Sequence, residues 1–417
     1  MPTKTDRCHG AGRSPAYHVG DIGIGSSGLA QNLALTWQLT EMHGWGLVGV
    51  HTALCLVDRK QPPLLLAKPA FITMRPSTQE KLRDLSHGYE QISAVSAKHG
   101  GRALRLHDCV ALHALGNGFH HGPPSDLYQG EGNIGVIAFE DTLFNAETLK
   151  RARHYDRIIV HSTYNHDLLV AQGFTDVRVA FQGVDPTEMP LLPRTGRFGD
   201  RFVVFSGGKI EYRKAQDLVL AAFRIFQARH PDALLVTAWH NAWPHTSADI
   251  AESPLINQAP VIDAETGRLR ISEWAAAHGV PPDAFIDLGF ITRPQIAPIL
   301  AECHAAIFPN RCEGATNLVA MEAMACGVPV ILSDNTGHRD LIRDDHCLAL
   351  RQQTPVTDKA ERRRGWSDSS VDEMVAHLES LYEDRKAARA MADRAKIFIR
   401  IDRNWRNFAE SFIEAAQ

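Results

Sequence analysis

Nowhere in the 417 residues does an apolar run approach the roughly 18 residues that a membrane span requires, so no crossing helix is expected. The seven cysteines, an odd number, form no C-x-x-C pair and no zinc spacing, which favours a reduced cytoplasmic setting over a disulfide scaffold. Neither charge sign dominates. Forty-four basic and 48 acidic residues give a net charge of −4, too balanced to leave a footprint for nucleic acid. No aspartate pair at D-x-D spacing follows an expected strand, and His120 and His121 have no third ligand at metal spacing, so no metal site is expected. The opening residues lack the apolar core of a signal peptide. A peripheral membrane contact stays open, and no repeat of solenoid length is seen.

What is present is an alternation of short apolar runs and helical stretches. Leu47–Val57, Ala103–Leu112, Gly135–Phe139, Arg157–Val160 and Val177–Phe181 read as strands. Arg75–Ala97 and Asn165–Ala171 read as mostly helical. Pro186 to Gly199 has linker composition, and beyond it the alternation restarts with Phe202–Phe205, Leu234–Ala238, Phe285–Leu288, Ala305–Phe308, Val330–Leu332 and Cys347–Leu350. Helices are expected from Val371 to about Tyr382, with two more from Arg385 to Ala416. This is an α/β chain of two Rossmann-like, doubly wound domains. The expected boundaries are 1–195, 196–395 and a terminal segment at 396–417.

Three stretches carry chemistry. Asn310 to Asp340 reads NRCEGATNLVAMEAMACGVPVILSDNTGHRD. A strand, a loop with Glu313 and Gly314, a capping pair Thr316 and Asn317, and a helix at Leu318–Cys326 follow one another. In such a unit ligands collect at the strand's carboxyl end and anions at the helix N-terminus. Glu322, among apolar neighbours and without a cation three or four residues away, points to a polar ligand partner, with a solvated helix face as the alternative. FSGGKIEYRKAQDLVLAAFRIF places Gly208, Lys209 and Lys214 between a strand end and a helix at Ala215–Ala228. A cation at a helix N-terminus opposes the macrodipole unless an anion lies between, so Lys214 reads as a phosphate ligand, with a solvent-screened surface lysine as the alternative. GDIGIGSSG, with Gly20, Gly23, Gly25 and Gly28 before helically spaced leucines, permits close backbone approach to a phosphate; a plain turn is the alternative. In VTAWHNAWP two tryptophans flank His240, suited either to stacking on a base or sugar or to capping the sheet edge.

The stretch EGATNLVAMEAMACGVPVI resembles the signature of retaining glycosyltransferases of the GT-B fold, family 4. That resemblance implies that Glu313 contacts the donor sugar and Glu322 the ribose. Eight residues separate the two, where the family usually has seven. It further implies that Lys209, a lysine where the family has arginine, and Lys214 grip the donor diphosphate. Gly208, Thr316, Asn317 and Leu318 would line the donor site, the loop holding Gly25 would lie against diphosphate and acceptor, and His113 would orient the sugar as a catalytic residue with Glu313 and Lys214. For His113 a core histidine is the competing reading. The resemblance also implies a metal-independent enzyme with no cofactor beyond a UDP- or GDP-sugar co-substrate, an acceptor that is a saccharide, lipid-linked glycan or small molecule, and a last helix crossing back to the first domain. A dinucleotide-dependent oxidoreductase and a non-catalytic nucleotide-sugar-binding protein are the rival readings.

Overall fold

A computed structural model of the chain describes residues 20–23, 32–357 and 360–417. Two parallel sheets organise it. The C-terminal sheet runs in the order Phe285–Asp287, Ala233–Ala238, Phe202–Gly207, Ala305–Phe308, Val330–Ser333, Leu348–Leu350. Its strands are short apolar runs with both faces covered, the signature of parallel sheets sandwiched by helices; Phe202–Gly207 and Ala305–Phe308 are buried at every position. In chain order this sheet reads 3-2-1-4-5-6, so the strand direction of winding reverses between Phe202–Gly207 and Ala305–Phe308. Ligands bind at such a switch point, outside the strands' carboxyl ends.

The N-terminal sheet runs Val177–Val179, Arg157–Val160, Gly132–Ile137, Cys109–Gly116, Asn32–Leu35, Leu64–Leu65, these six parallel, with the short strand His120–His121 antiparallel to Cys109–Gly116. A small parallel sheet of Gly20–Gly23, Leu104–His107 and Tyr128–Gln129 lies apart from it. Three expectations are corrected here. Leu47–Val57 is part of the helix Gly44–Asp58, not a strand; a mostly apolar run whose two polar residues, His51 and Thr52, are themselves buried has no clear period to tell the two apart, and its length favours helix. The leucines at 33 and 35 belong to a strand, Asn32–Leu35, rather than a helix. Ala103–Leu112 is two strands in different sheets, broken at Asp108, whose backbone is left-handed with φ 55°.

The chain's end returns to its beginning. Arg385–Asp402 packs on the C-terminal half, and Trp405–Ala416 then crosses over. Trp405, Phe408, Phe412 and Ile413 join the core formed by Leu33, Leu35, Val48 and Leu112. Each such buried side chain contributes about 1.5–3 kcal/mol. The crossing is pinned where Val184 N–H donates to Arg403 O at 2.9 Å and Trp405 N–H to Val184 O at 3.1 Å. Gly183 lets this happen, because a Cβ there would lie 2.2 Å from Asn404 C and 2.5 Å from Trp405 N. Gly183→Ala is therefore expected to cost about 1–3 kcal/mol, read as a lower thermal midpoint with early proteolytic release of the last helix. An unchanged midpoint would show that the crossing is not held there.

Candidate active site

The two segments flanking the switch point meet. After Phe202–Gly207 the chain turns at Gly208, where φ +124° suits only glycine, and makes one 3-10 turn, Tyr212–Lys214. Ala215 is left-handed at φ 59° before the helix Gln216–Arg229 starts. After Ala305–Phe308 the loop through Glu313 leads to Asn317, also left-handed at φ 78°, whose side chain caps Ala320 N–H at the start of Leu318–Ala325.

Glu313 is buried between these segments. Lys214 Nζ donates to its Oε1 at 2.5 Å and Arg213 Nη1 to its Oε2 at 3.2 Å, while Asn310 Nδ2 also donates to Oε1. Burial alone would raise the Glu313 carboxyl, but Lys214 and Arg213 outweigh it and hold it at about 2. Lys214 is pulled below the usual lysine value by burial, with Glu313 opposing. So the anion paired with Lys214 is the protein's own. Arg213 Nε also donates to Glu211 at 2.8 Å and its Nη1 lies 3.5 Å from Glu140. Lys209 pairs with Glu211 at 2.6 Å and sits 5.5 Å above the half-exposed Trp243 ring. The two tryptophans thus part: Trp239 is core, donating to Ser206 Oγ at 3.2 Å.

Behind the loop the bonds have one direction. Asn317 Nδ2 donates to His338 Nε2 at 3.0 Å, His338 Nδ1 meets Ser333 Oγ at 2.8 Å, and Ser333 Oγ donates to Asn310 O at 2.7 Å. Thr316 is buried beside Met321, its hydroxyl 3.3 Å from the sulfur. Glu322 does have a cationic partner, supplied from another helix: Arg293 Nη1 donates to its Oε1 at 2.8 Å.

Other residues fall elsewhere. His113 lies inside the N-terminal sheet, its Nε2 bonded to Asn133 at 3.1 Å and its ring against Tyr155. Burial lowers it to about 4. No contact among the described residues joins it to Glu313 or Lys214, so it takes the core reading. Gly20 and Gly23 are in a strand, while Gly25 and Gly28 lie outside the described residues. The glycine turn that does open a helix after a sheet strand is Gly44, Gly46 and Gly49. A Cβ at Gly46 would meet Thr40 O at 2.2 Å, at Gly49 the Leu39 side chain at 2.6 Å, and at Gly44 Leu318 Cδ1 at 3.3 Å. Their G-x-G-x-x-G spacing was legible, but the strand reading of Leu47–Val57 hid it. Glu140, Arg213 and Asn310 were missed as site residues, because nothing local marks a strand-end carboxylate that pairs across a cleft.

The halves touch around this cluster. Ser162 Oγ donates to Gly314 O at 2.6 Å, and a Cβ on Gly314 would lie 2.6 Å from Phe139 O. Trp366 Nε1 donates to Glu140 O at 3.0 Å. Among the described residues no group of three metal-ligating side chains is found, and no helix is long and apolar enough to cross a membrane.

Two facing doubly wound sheets with a returning C-terminal helix define the GT-B architecture. The structure resembles sucrose-phosphate synthase of Thermosynechococcus elongatus (TM-score 0.59, 15% identity, covering 92% of this chain and 98% of that one). It is also similar to HepE of Anabaena, solved in complex with UDP and glucose (TM-score 0.61, 14% identity, 93% and 99%). Those likenesses show the fold. Residues 191–398 match the family model described as Glycosyl transferases group 1, so this part of the chain is a glycosyltransferase domain of that kind. EpsD of Bacillus subtilis (strain 168), whose name designates a glycosyltransferase, is 24% identical over 268 residues, 63% of this chain and 61% of the relative; the match thus spans about three fifths of that relative's length.

The Glu313 ion cluster sets a pH dependence. A carboxylate held at about 2 in the folded state against about 4.3 unfolded contributes stability that is present above about pH 4.3 and fades as pH falls toward 2. Glu313→Gln should cost about 3–5 kcal/mol at neutral pH, and its denaturation midpoint should converge on that of the wild type between about pH 4.3 and 2. A constant gap across that range would assign the stability to something other than this charge.

Proposed function

We propose that the protein is a retaining glycosyltransferase that moves a sugar from a nucleotide-diphosphate donor to an acceptor hydroxyl. One observation carries the reading: Lys209, Arg213, Lys214 and Glu313 converge at the switch point of the sheet, beside a capped helix N-terminus, within the matched glycosyltransferase domain. Such a transfer must neutralise charge growing on the departing diphosphate while the anomeric carbon becomes oxocarbenium-like. Lys209, Lys214 and the backbone N–H groups around Asn317 and Leu318 supply the neutralisation, with Gly208 allowing close approach. A carboxylate held at about 2 is a poor proton acceptor, so Glu313 orients the sugar rather than taking a proton. Glu322 keeps Oε2 for ribose hydroxyls.

The solved HepE structures contain UDP or UDP-glucose, which supports a nucleotide-sugar donor of the UDP or GDP kind without a further cofactor. On this reading the chain divides near residue 195 into an acceptor-side and a donor-side domain, with 396–417 crossing between them. An oxidoreductase reading loses ground: the strand after the Gly44–Gly49 turn, Leu64–Leu65, runs into Leu66, Ala67 and Lys68, with no acid to hold a ribose.

Lys214→Ala should weaken binding of the nucleoside diphosphate by about ten- to a hundredfold, the loss of one charge-assisted contact, and leave the bare nucleoside unaffected. Without ligand the variant should melt lower, since Glu313 loses a counter-charge. Titration calorimetry decides it; equal losses for both ligands would remove the phosphate role. Turnover should persist in EDTA, and activity that returns only with magnesium or manganese would contradict the proposed chemistry.

A further inference from the structure

Glu322 stands at one end of a ladder of alternating charges that leaves the donor half altogether. Arg293, the first residue of the helix Arg293–Leu300, donates from Nη1 to Glu322 Oε1 at 2.8 Å and from Nε to Glu188 Oε2 at 2.5 Å. Glu188 lies in the segment joining the two sheets, and its other oxygen meets Arg75 Nη2. Arg75, which precedes the helix Pro76–Leu82 of the N-terminal half, binds Glu41 through its backbone N–H at 3.0 Å and its Nε at 3.4 Å. Asp185 lies 3.8 Å from the same guanidinium. Four carboxylates thus share two guanidiniums, and the side chains of Arg293, Glu188 and Glu322 are 11%, 3% and 7% exposed.

Two features connect this ladder to ligand binding. Glu322 uses only Oε1 within the protein, leaving Oε2 without a hydrogen-bond partner among the described residues. Arg293 Nη2 is a buried donor that likewise has no hydrogen-bond partner among them. A planar guanidinium forked between two carboxylates fixes the plane of each, which an ammonium cannot do. We propose that Arg293 is the positioning residue for Glu322, and that through Glu188 and Arg75 it makes nucleoside affinity depend on the N-terminal half. This rests on the reading of Glu322 as the ribose ligand. Arg75 would then act on the nucleotide without touching it, and the closed arrangement of the two halves and the occupied donor site would favour one another.

The test is a double-mutant cycle by titration calorimetry on the full chain, with uridine, guanosine, UDP, GDP and inorganic pyrophosphate as probes. Arg293→Gln should weaken the nucleoside and its diphosphate by a similar factor, about tenfold, with pyrophosphate affinity unchanged. Arg293→Lys, which keeps charge but not the fork, should recover part of the loss. Arg75→Gln should weaken the nucleoside measurably in the wild-type background and not at all in the Arg293→Gln background. Strictly additive losses, or unchanged nucleoside affinity in a folded Arg293→Gln variant, would overturn the inference while leaving the transferase reading intact. Failure of the wild type to bind any nucleoside or diphosphate would remove both. Should Arg293→Gln fail to melt cooperatively, Arg75→Gln at its 27% exposed site decides alone: unchanged nucleoside affinity there overturns the proposal, and a selective loss sustains it.

Discussion

A carboxylate buried between two cations constrains the centre of this molecule. Moving any of these charges out of water costs several kcal/mol, and only mutual pairing with full hydrogen bonding offsets it. Glu313, Lys214 and Arg213 come from strand ends on either side of the sheet's switch point, so the two loops must hold one geometry for all three to be satisfied. The unusual backbone around them follows from this. Ala215 and Asn317 both adopt left-handed conformations, which cost an L-residue roughly 1–2 kcal/mol, and each does so where a loop gives way to a helix. The directional bonds from Asn317 through His338 and Ser333 to Asn310 then tie the helix cap to the carboxylate's own neighbour.

The same cluster fixes how the halves meet. Glu140 reaches Arg213 from the end of an N-terminal strand, and Gly314 lies so close to Phe139 that no side chain fits between them. Gly44, at the start of the first long helix, leaves only contact distance to Leu318 at the start of the helix Leu318–Ala325. Two helix N-termini and two sheet ends therefore converge on one region. A charge placed there would be removed from water and surrounded by fixed dipoles, the condition under which electrostatic stabilisation is strongest. The match to a glycosyltransferase domain covers residues 191–398, and the first half joins it through the fold.

Much of this was written in the sequence. The C-terminal strands are short apolar runs punctuated by glycine and proline, and Ala305–Phe308 and Arg157–Val160 fall where the pattern puts them. Lys214 and Glu322 were marked by charge placed against local expectation, a lysine before a helix and a carboxylate among apolar neighbours, whereas the roles of Lys209 and Glu313 came from the resemblance. The reading went astray where a mostly apolar run showed no clear period. Leu47–Val57 carried no period, so helix and strand could not be separated, and the glycine turn at its head was hidden with it.

By itself the sequence determined the alternation of elements, the two-sheet architecture and the charged residues at the strand ends, because apolar period, turn chemistry and capping act over a few residues. Tertiary structure decided who pairs with whom. Arg293 reaches Glu322 across 29 residues, Lys214 reaches Glu313 across 99, and Trp366 reaches Glu140 across 226. It also put His113, left open between cleft and core by the sequence, inside the sheet, since a strand's hydrogen bonds fix the face each side chain takes. Pairing at such distances depends on sheet order and on the cost of leaving a buried charge alone, and neither is a property of any local stretch of chain.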